Sequence, residues 1–261
     1  MEITFLGQAG LMFETQSKII LIDPYLSNSV AKYQPQNQRR VAVDDRFLKI
    51  KPDIVVCTHN HLDHTDKETL CHYLTKDSNV LVLAPASAWQ EVRKFGGNNN
   101  YVTFNNGTIW TEQFATFRAV KAEHSDEYAI GVVISVDGKN YYITGDTLYS
   151  EKVFESLPNM CFEAVFLPVN GTGNNMNFID AKKFAERVNA KFIVPIHTGM
   201  FDELDASKLQ VENKIVPKIS TNRDPCSKMT PILPLLPSPK RRAMMICIPM
   251  AKPAAIVVNT K

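Results

Sequence analysis

Short apolar runs broken by turn residues dominate the first 22 positions: Ile3–Leu6, a Gly7–Gly10 turn, Leu11–Phe13, and Ile19–Ile22 ending at Asp23-Pro24. Their length and β-branched content predict an opening strand meander. Residues 27–49 are polar, and Gln34-Pro-Gln-Asn-Gln-Arg-Arg40 has no period, so a mobile loop able to cover a site is expected there. The apolar run Ile54–Thr58 then predicts a strand, His59–His64 a loop, and Thr65-x-x-Glu68 a capping box opening a helix to Thr75. Val80–Leu83 reads as a further strand and Pro85–Phe95 as a helix stopped by Gly96-Gly97.

From Tyr101 to Thr144 strand signals follow one another: Tyr101–Phe104, Thr108–Trp110, Ala115–Ala122, Ala129–Val136 and, after an Asp137-Gly138 turn, Tyr141–Thr144. These predict a second sheet. A helix at Ser150–Ser156, a strand at Ala164–Pro168, a helix at Ile179–Val188 and a strand at Phe192–Pro195 complete the pattern. Two β-rich blocks, each closed by αβ units, predict an α+β protein with two packed sheets inside and helices outside.

Composition changes this picture only at the C-terminal end. Residues 220–261 hold seven of the fifteen prolines, no glycine, no histidine and none of the 24 aromatic residues. They also carry seven Lys or Arg against the single acidic Asp224, leaving 22 basic and 26 acidic residues in 1–219. We therefore divide the chain into a core-forming domain, 1–219, and a Pro-rich basic tail, 220–261, expected to be disordered or non-native. The mildly acidic body argues against a nucleic-acid surface. Met1-Glu-Ile-Thr-Phe5 lacks the basic start of an export signal, and the most apolar stretch, 243–258, is broken by Pro249, Lys252 and Pro253. A cytoplasmic protein acting on a small molecule, without membrane or nucleic-acid partners, is expected, with self-association left open. Five scattered cysteines with no C-x-x-C fit a reducing compartment.

The chemistry concentrates in His59-Asn-His61-Leu-Asp63-His64, the pattern H-x-H-x-D-H directly after an apolar strand. Histidines at i and i+2 of an extended segment aim the same way, and the aspartate and third histidine follow as the chain turns. Four potential ligands in six positions point to metal binding, and imidazole with carboxylate suits Zn²⁺ or Mn²⁺, with Fe²⁺ also compatible. His124, Asp146 and His197 each stand just past a predicted strand end, where segments distant in sequence converge on one rim. A lone histidine in such a place is more often a satisfied loop residue, and an aspartate after glycine often marks only a turn. The loaded loop makes the joint reading the better one. His72, inside the predicted helix, reads as structural, as does Cys57 in the strand before the motif.

With these motifs the chain resembles the metallo-β-lactamase fold superfamily over 1–219. The resemblance implies a four-layer αββα sandwich. It implies that His59, His61 and His124 hold one metal, that Asp63, His64 and His197 hold a second, and that Asp146 bridges them, with Asp23 supporting the site from behind the ligands. Leu167-Pro-Val-Asn-Gly171 and Pro195-Ile-His-Thr-Gly-Met-Phe201 resemble the branch containing the ascorbate-6-phosphate lactonases and related metal-dependent hydrolases. Secreted antibiotic β-lactamases carry cysteine where Asp146 stands, and flavodiiron reductases a carboxylate where His61 stands; this chain matches neither.

The implied activity is hydrolysis by a dinuclear site and a bridging hydroxide, with Asp63 and Asp146 as catalytic groups and an ester, lactone or phosphorylated metabolite as substrate. Phosphodiester cleavage and metal or ligand sensing without turnover are the alternatives. Substrate contacts are expected from Asn28–Arg40 and from Asn170, Thr172 and Asn175, and Lys121 is a candidate for attracting an anion.

Overall fold

The computed structural model describes residues 1–15 and 17–219 together with the backbone of Lys228–Met229. One sheet contains β1 (Glu2–Gly7), β2 (Gly10–Glu14), β3 (Ile19–Ile22), β4 (Ile54–Val56), β5 (Leu81–Ala84) and β6 (Asn100–Thr103). The other contains β7 (Ile109–Thr111), β8 (Ala115–Lys121), β9 (Ile130–Val136), β10 (Lys139–Ile143), β11 (Phe162–Pro168) and β12 (Ala190–Ile196). A last strand, β13 (Lys228–Met229), pairs antiparallel with β1 at the edge of the first sheet. The remainder of the expected tail, 220–227 and 230–261, lies outside the described residues.

Both sheets are mixed. Strands β3 to β6 run parallel, as do β10 to β12, and the other pairs are antiparallel. Side-chain alternation sorts the strands into layers. Ile20 and Ile22 of β3 meet Val132 and Ile134 of β9 in the cluster between the sheets, with Phe5, Phe13 and Phe166. The intervening Leu21 packs outward with Val55 and Val82 against Leu70, Tyr73 and Ala88. On the far side Val133, Tyr142 and Val165 pack against Val153, Ala181 and Phe184. Helices α2 (Lys67–Leu70) and α3 (Ala86–Val92) cover one sheet, and α4 (Glu151–Ser156) and α5 (Phe178–Arg187) the other. The four-layer sandwich is thus present. Strands such as β4, buried on both faces, read as unbroken apolar runs for this reason.

Three expectations need correction. The run at Tyr101–Phe104 belongs to the first sheet, because β6 pairs parallel with β5 after the α3 crossover. The helix expected to reach Thr75 is the four-residue α2, capped by Asp66 rather than Thr65. The Asp66 carboxylate accepts from the Glu68 and Thr69 amides, whereas the Thr65 hydroxyl donates to the His59 carbonyl at 2.7 Å. The loop 27–49 contains a 3₁₀ turn at Val30–Lys32 and the short helix α1 (Asp45–Leu48) capped by Asp44. It is anchored by the Arg39 guanidinium, which donates to the carbonyls of Tyr25 at 2.6 Å and Val41 at 2.7 Å.

Candidate metal centre

All seven predicted ligands come to one end of the sandwich. His59 to His64 leave the end of β4, His124 follows β8, Asp146 follows β10 and His197 follows β12. Backbone hydrogen bonds join the two sheets at this edge: the Ile130 amide donates to the Thr58 carbonyl at 3.0 Å and the His197 amide to the Gln8 carbonyl at 2.6 Å. The Gly145 position, at φ +62, brings Asp146 inward where a Cβ would sit 2.6 Å from the Ile130 carbonyl and 3.1 Å from Thr58.

A hydrogen-bond relay fixes the imidazoles. Asp23 is fully buried; its carboxylate accepts from the Thr58 amide at 2.7 Å, the Thr58 hydroxyl at 2.6 Å and His64 Nδ1 at 2.8 Å. The Thr58 oxygen, whose hydroxyl proton points to Asp23, accepts from His59 Nδ1 at 3.1 Å. Both rings therefore donate through Nδ1 and turn Nε2 inward. His59 Nε2, His64 Nε2 and Asp146 Oδ1 are buried without a hydrogen-bond partner. Buried polar atoms left unpartnered in this way are costly inside a protein, and a bound cation would satisfy them. The three residues form one group whose ligating atoms lie within 4.8 Å of one another, as do His59, His61 and His124, and Asp63, His64 and His197. His61 Nδ1 and His124 Nε2 face each other at 3.1 Å, and His124 Nδ1 donates to the Asn174 carbonyl at 3.3 Å. The donor set and its spacing fit divalent cations.

Electrostatics lean the same way. Burial disfavours charge on His197, but the carboxylates of Asp146 and Asp63 outweigh it and raise its pKa to about 10. His64 is likewise raised against the effect of burial by Asp146, Asp63 and Asp23. Burial lifts the two carboxylates less than His64 and His197 depress them, so Asp63 and Asp146 stay ionised well below the usual range. His59, buried beside His64, is pushed far down and stays neutral. Protons on His64 and His197 thus occupy the electrostatic place of a cation.

Several contributors lacked a signal in the sequence. The carboxamide nitrogen of buried Gln8 donates to Asp63 Oδ2 at 2.8 Å and lies 3.0 and 3.1 Å from the ring nitrogens of His197. Nothing in the Gly7–Gly10 turn distinguishes it from an ordinary turn residue. Asn175, expected on the substrate loop, lines the cavity and is largely buried: it donates to Asp146 Oδ2 at 2.8 Å and accepts from the Thr147 amide at 3.0 Å. It positions Asp146. Asp126 accepts from the Asn60 amide at 2.9 Å and the Ser87 hydroxyl at 2.6 Å, pinning the tip of the motif loop.

His61, Asp63, Asp146 and His197 of the centre line a cavity of about 870 Å³, together with Asn170, Thr172 and Asn175; Lys121 does not line it. His72 is exposed on the turn after α2, and Cys57 is a buried free thiol whose pKa burial pushes up. Among the described residues no helix is long and apolar enough to cross a membrane.

Comparison with known proteins gives a consistent answer. A family model for the beta-lactamase superfamily domain matches residues 2–197. A UPF0173 metal-dependent hydrolase of Geobacillus thermodenitrificans (strain NG80-2) is 28% identical over 236 residues, covering 86% of this chain and 97% of the relative. A UPF0173 metal-dependent hydrolase of Flavobacterium johnsoniae is 29% identical over 218 residues, covering 78% and 88%. Among solved structures, isothiocyanate hydrolase from Delia radicum gut bacteria superposes with a TM-score of 0.67 at 21% identity, covering 88% of this chain and 99% of that one. A metallo hydrolase from Ignicoccus hospitalis KIN4/I superposes with a TM-score of 0.61 at 20% identity, covering 76% and 82%.

Two outcomes follow from the relay and the proton balance. Replacing Asp23 with alanine releases His64 and Thr58, and metal affinity measured by chelator competition falls about 10–100-fold; unchanged affinity contradicts the relay. Because His197 holds its proton up to about pH 10 without metal, cation uptake at pH 7 releases protons and affinity rises with pH. Calorimetry in two buffers of different ionisation enthalpy measures this, and zero net release at pH 7 contradicts it.

Proposed function

The chain belongs to the metallo-β-lactamase superfamily, and on that premise we propose that it is a metal-dependent hydrolase of small esters or lactones. The observation that carries the proposal is the convergence of His59 Nε2, His64 Nε2 and Asp146 Oδ1, each buried and unpartnered, beneath an open cavity. Divalent cations, Zn²⁺ or Mn²⁺ with Fe²⁺ also compatible, would be held by His59, His61 and His124 and by Asp63, His64 and His197, with Asp146 available to both groups, and would supply Lewis acidity and an activated water near neutral pH. The similarity to UPF0173 metal-dependent hydrolases supports metal-dependent hydrolysis.

The chain's own residues then have defined tasks. Asn175 holds Asp146 Oδ2, which leaves Oδ1 turned to the orphaned nitrogen of His64 at 3.3 Å. Gln8 steadies Asp63, whose carboxylate lines the cavity. In the reaction the oxygen of water bonds to the acyl carbon and the carbon–oxygen bond to the alcohol breaks. Asp63 takes the proton released by the water and returns it to the departing oxygen, giving an acid and an alcohol. A cavity of about 870 Å³ has room for a metabolite-sized substrate.

The test combines metal content with turnover. Protein loaded with Zn²⁺ or Mn²⁺ is expected to hold two cations per chain and to hydrolyse members of a panel of lactones and esters in preference to bis-nitrophenyl phosphate. His61→Ala lowers kcat/KM at least about 100-fold. Inert protein with full metal content, or full activity in His61→Ala, contradicts the proposal.

A further inference from the structure

The charge of the cavity wall narrows the substrate further, on the reading of the site given above. Among the described residues, the charged side chains lining it beyond the imidazoles are Asp63, Asp146 and Asp202, all acidic, and no lysine or arginine reaches it. The wall is otherwise made of carboxamides and hydroxyls, among them Gln34, Asn37 and Asn170, with Val30, Tyr33, Leu62 and Phe201 supplying apolar surface.

The absence of a cation is built into the neighbouring loop. Residues 28–40 carry three basic side chains, and each is engaged elsewhere. Lys32 pairs with Glu68 and Arg40 with Glu203. Arg39 is held by the Tyr25 and Val41 carbonyls. Asp202, which also lines the cavity, accepts from the Gly199 amide at 3.2 Å and the Leu204 amide at 3.0 Å, which orients its carboxylate. Recognition of a phosphate requires charge-assisted donors such as arginine or lysine, or a fan of free backbone amides. Away from the metal ligands the side chains of this wall are neutral apart from the Asp202 carboxylate, so a phosphate finds no charged side-chain donor.

We propose that the cavity takes an uncharged amphipathic ester or lactone: the scissile carbonyl sits over Asp63 and Asp146, the apolar part lies against Tyr33, Leu62 and Phe201, and the carboxamides bond its neutral polar groups. A substrate with a phosphate remote from the scissile bond meets no cation and is repelled by Asp202. On this reading a phosphorylated lactone is a poor substrate.

The probes are 4-nitrophenyl 6-hydroxyhexanoate and its 6-phosphate, which differ only in a charge remote from the reacting carbonyl. The matching 4-nitroanilides, titrated calorimetrically, report binding separately from turnover. With metal-loaded full chain, the neutral ester is expected to have a kcat/KM at least roughly tenfold higher, and its anilide to bind at least roughly tenfold tighter. Gln34→Lys, which places a cation on the wall, is expected to narrow both ratios. Equal or better handling of the phosphorylated pair overturns the inference, as does failure of both anilides to bind or an unmoved ratio in Gln34→Lys. Preferential binding of the neutral anilide with neither ester hydrolysed sustains the inference and overturns the hydrolase reading instead.

Discussion

A buried carboxylate behind the ligands governs this architecture. Asp23 stands at the end of β3 in a left-handed conformation, φ +44, and satisfies its oxygens with the Thr58 amide, the Thr58 hydroxyl and His64 Nδ1. Through those three donors one side chain sets the path of the motif loop, the orientation of His64 and, by way of Thr58, that of His59. Two imidazoles from one loop thereby turn their free nitrogens to the same place. Without the relay either ring would gain by hydrogen bonding inward through the other nitrogen, and the ligand set would dissolve into an ordinary polar cluster.

The fold tolerates this arrangement because strain and charge are confined to one edge. Of the five non-glycine residues with positive φ among those described, Gln8, Asp23, Asn174 and His197 surround the centre. Such conformations persist only where surrounding structure over-determines them. Here that structure is the apolar layer between the sheets, with Phe13, Phe117 and Phe166 almost wholly buried, together with the backbone bonds from Ile130 to Thr58 and from His197 to Gln8. These bonds join the sheets beside the ligands themselves. Movement of one sheet against the other would separate His59 from Asp146 and Gln8 from His197.

Much of this was legible in the sequence, for reasons that differ by residue. His59, His61, Asp63 and His64 are dense enough in one segment to declare their chemistry, and β3 and β4 declare their burial by unbroken apolar runs. His124, Asp146 and His197 were legible only jointly, as polar residues at strand ends. Gln8 and Asn175 act by carboxamide hydrogen bonds across long sequence separations, and a carboxamide in a turn or loop looks the same whether or not it supports a metal ligand. The sheet to which β6 belongs was illegible because its alternation suits either sheet, and pairing with β5 is decided by the α3 crossover. The start of α2 depends on whether Thr65 or Asp66 caps it, which turned on where the Thr65 hydroxyl finds its acceptor.

The central claim is that the seven side chains form two adjoining cation sites sharing Asp146, rather than a hydrogen-bonded cluster stabilised by protons on His64 and His197. Anomalous X-ray scattering from crystals equilibrated with Zn²⁺ tests this directly, because it locates the metal independently of activity. Two peaks, one bonded by His59, His61 and His124 and the other by Asp63, His64 and His197, with Asp146 contacting both, are the predicted result. A single peak, or peaks elsewhere with these seven residues unmetallated, would contradict the account.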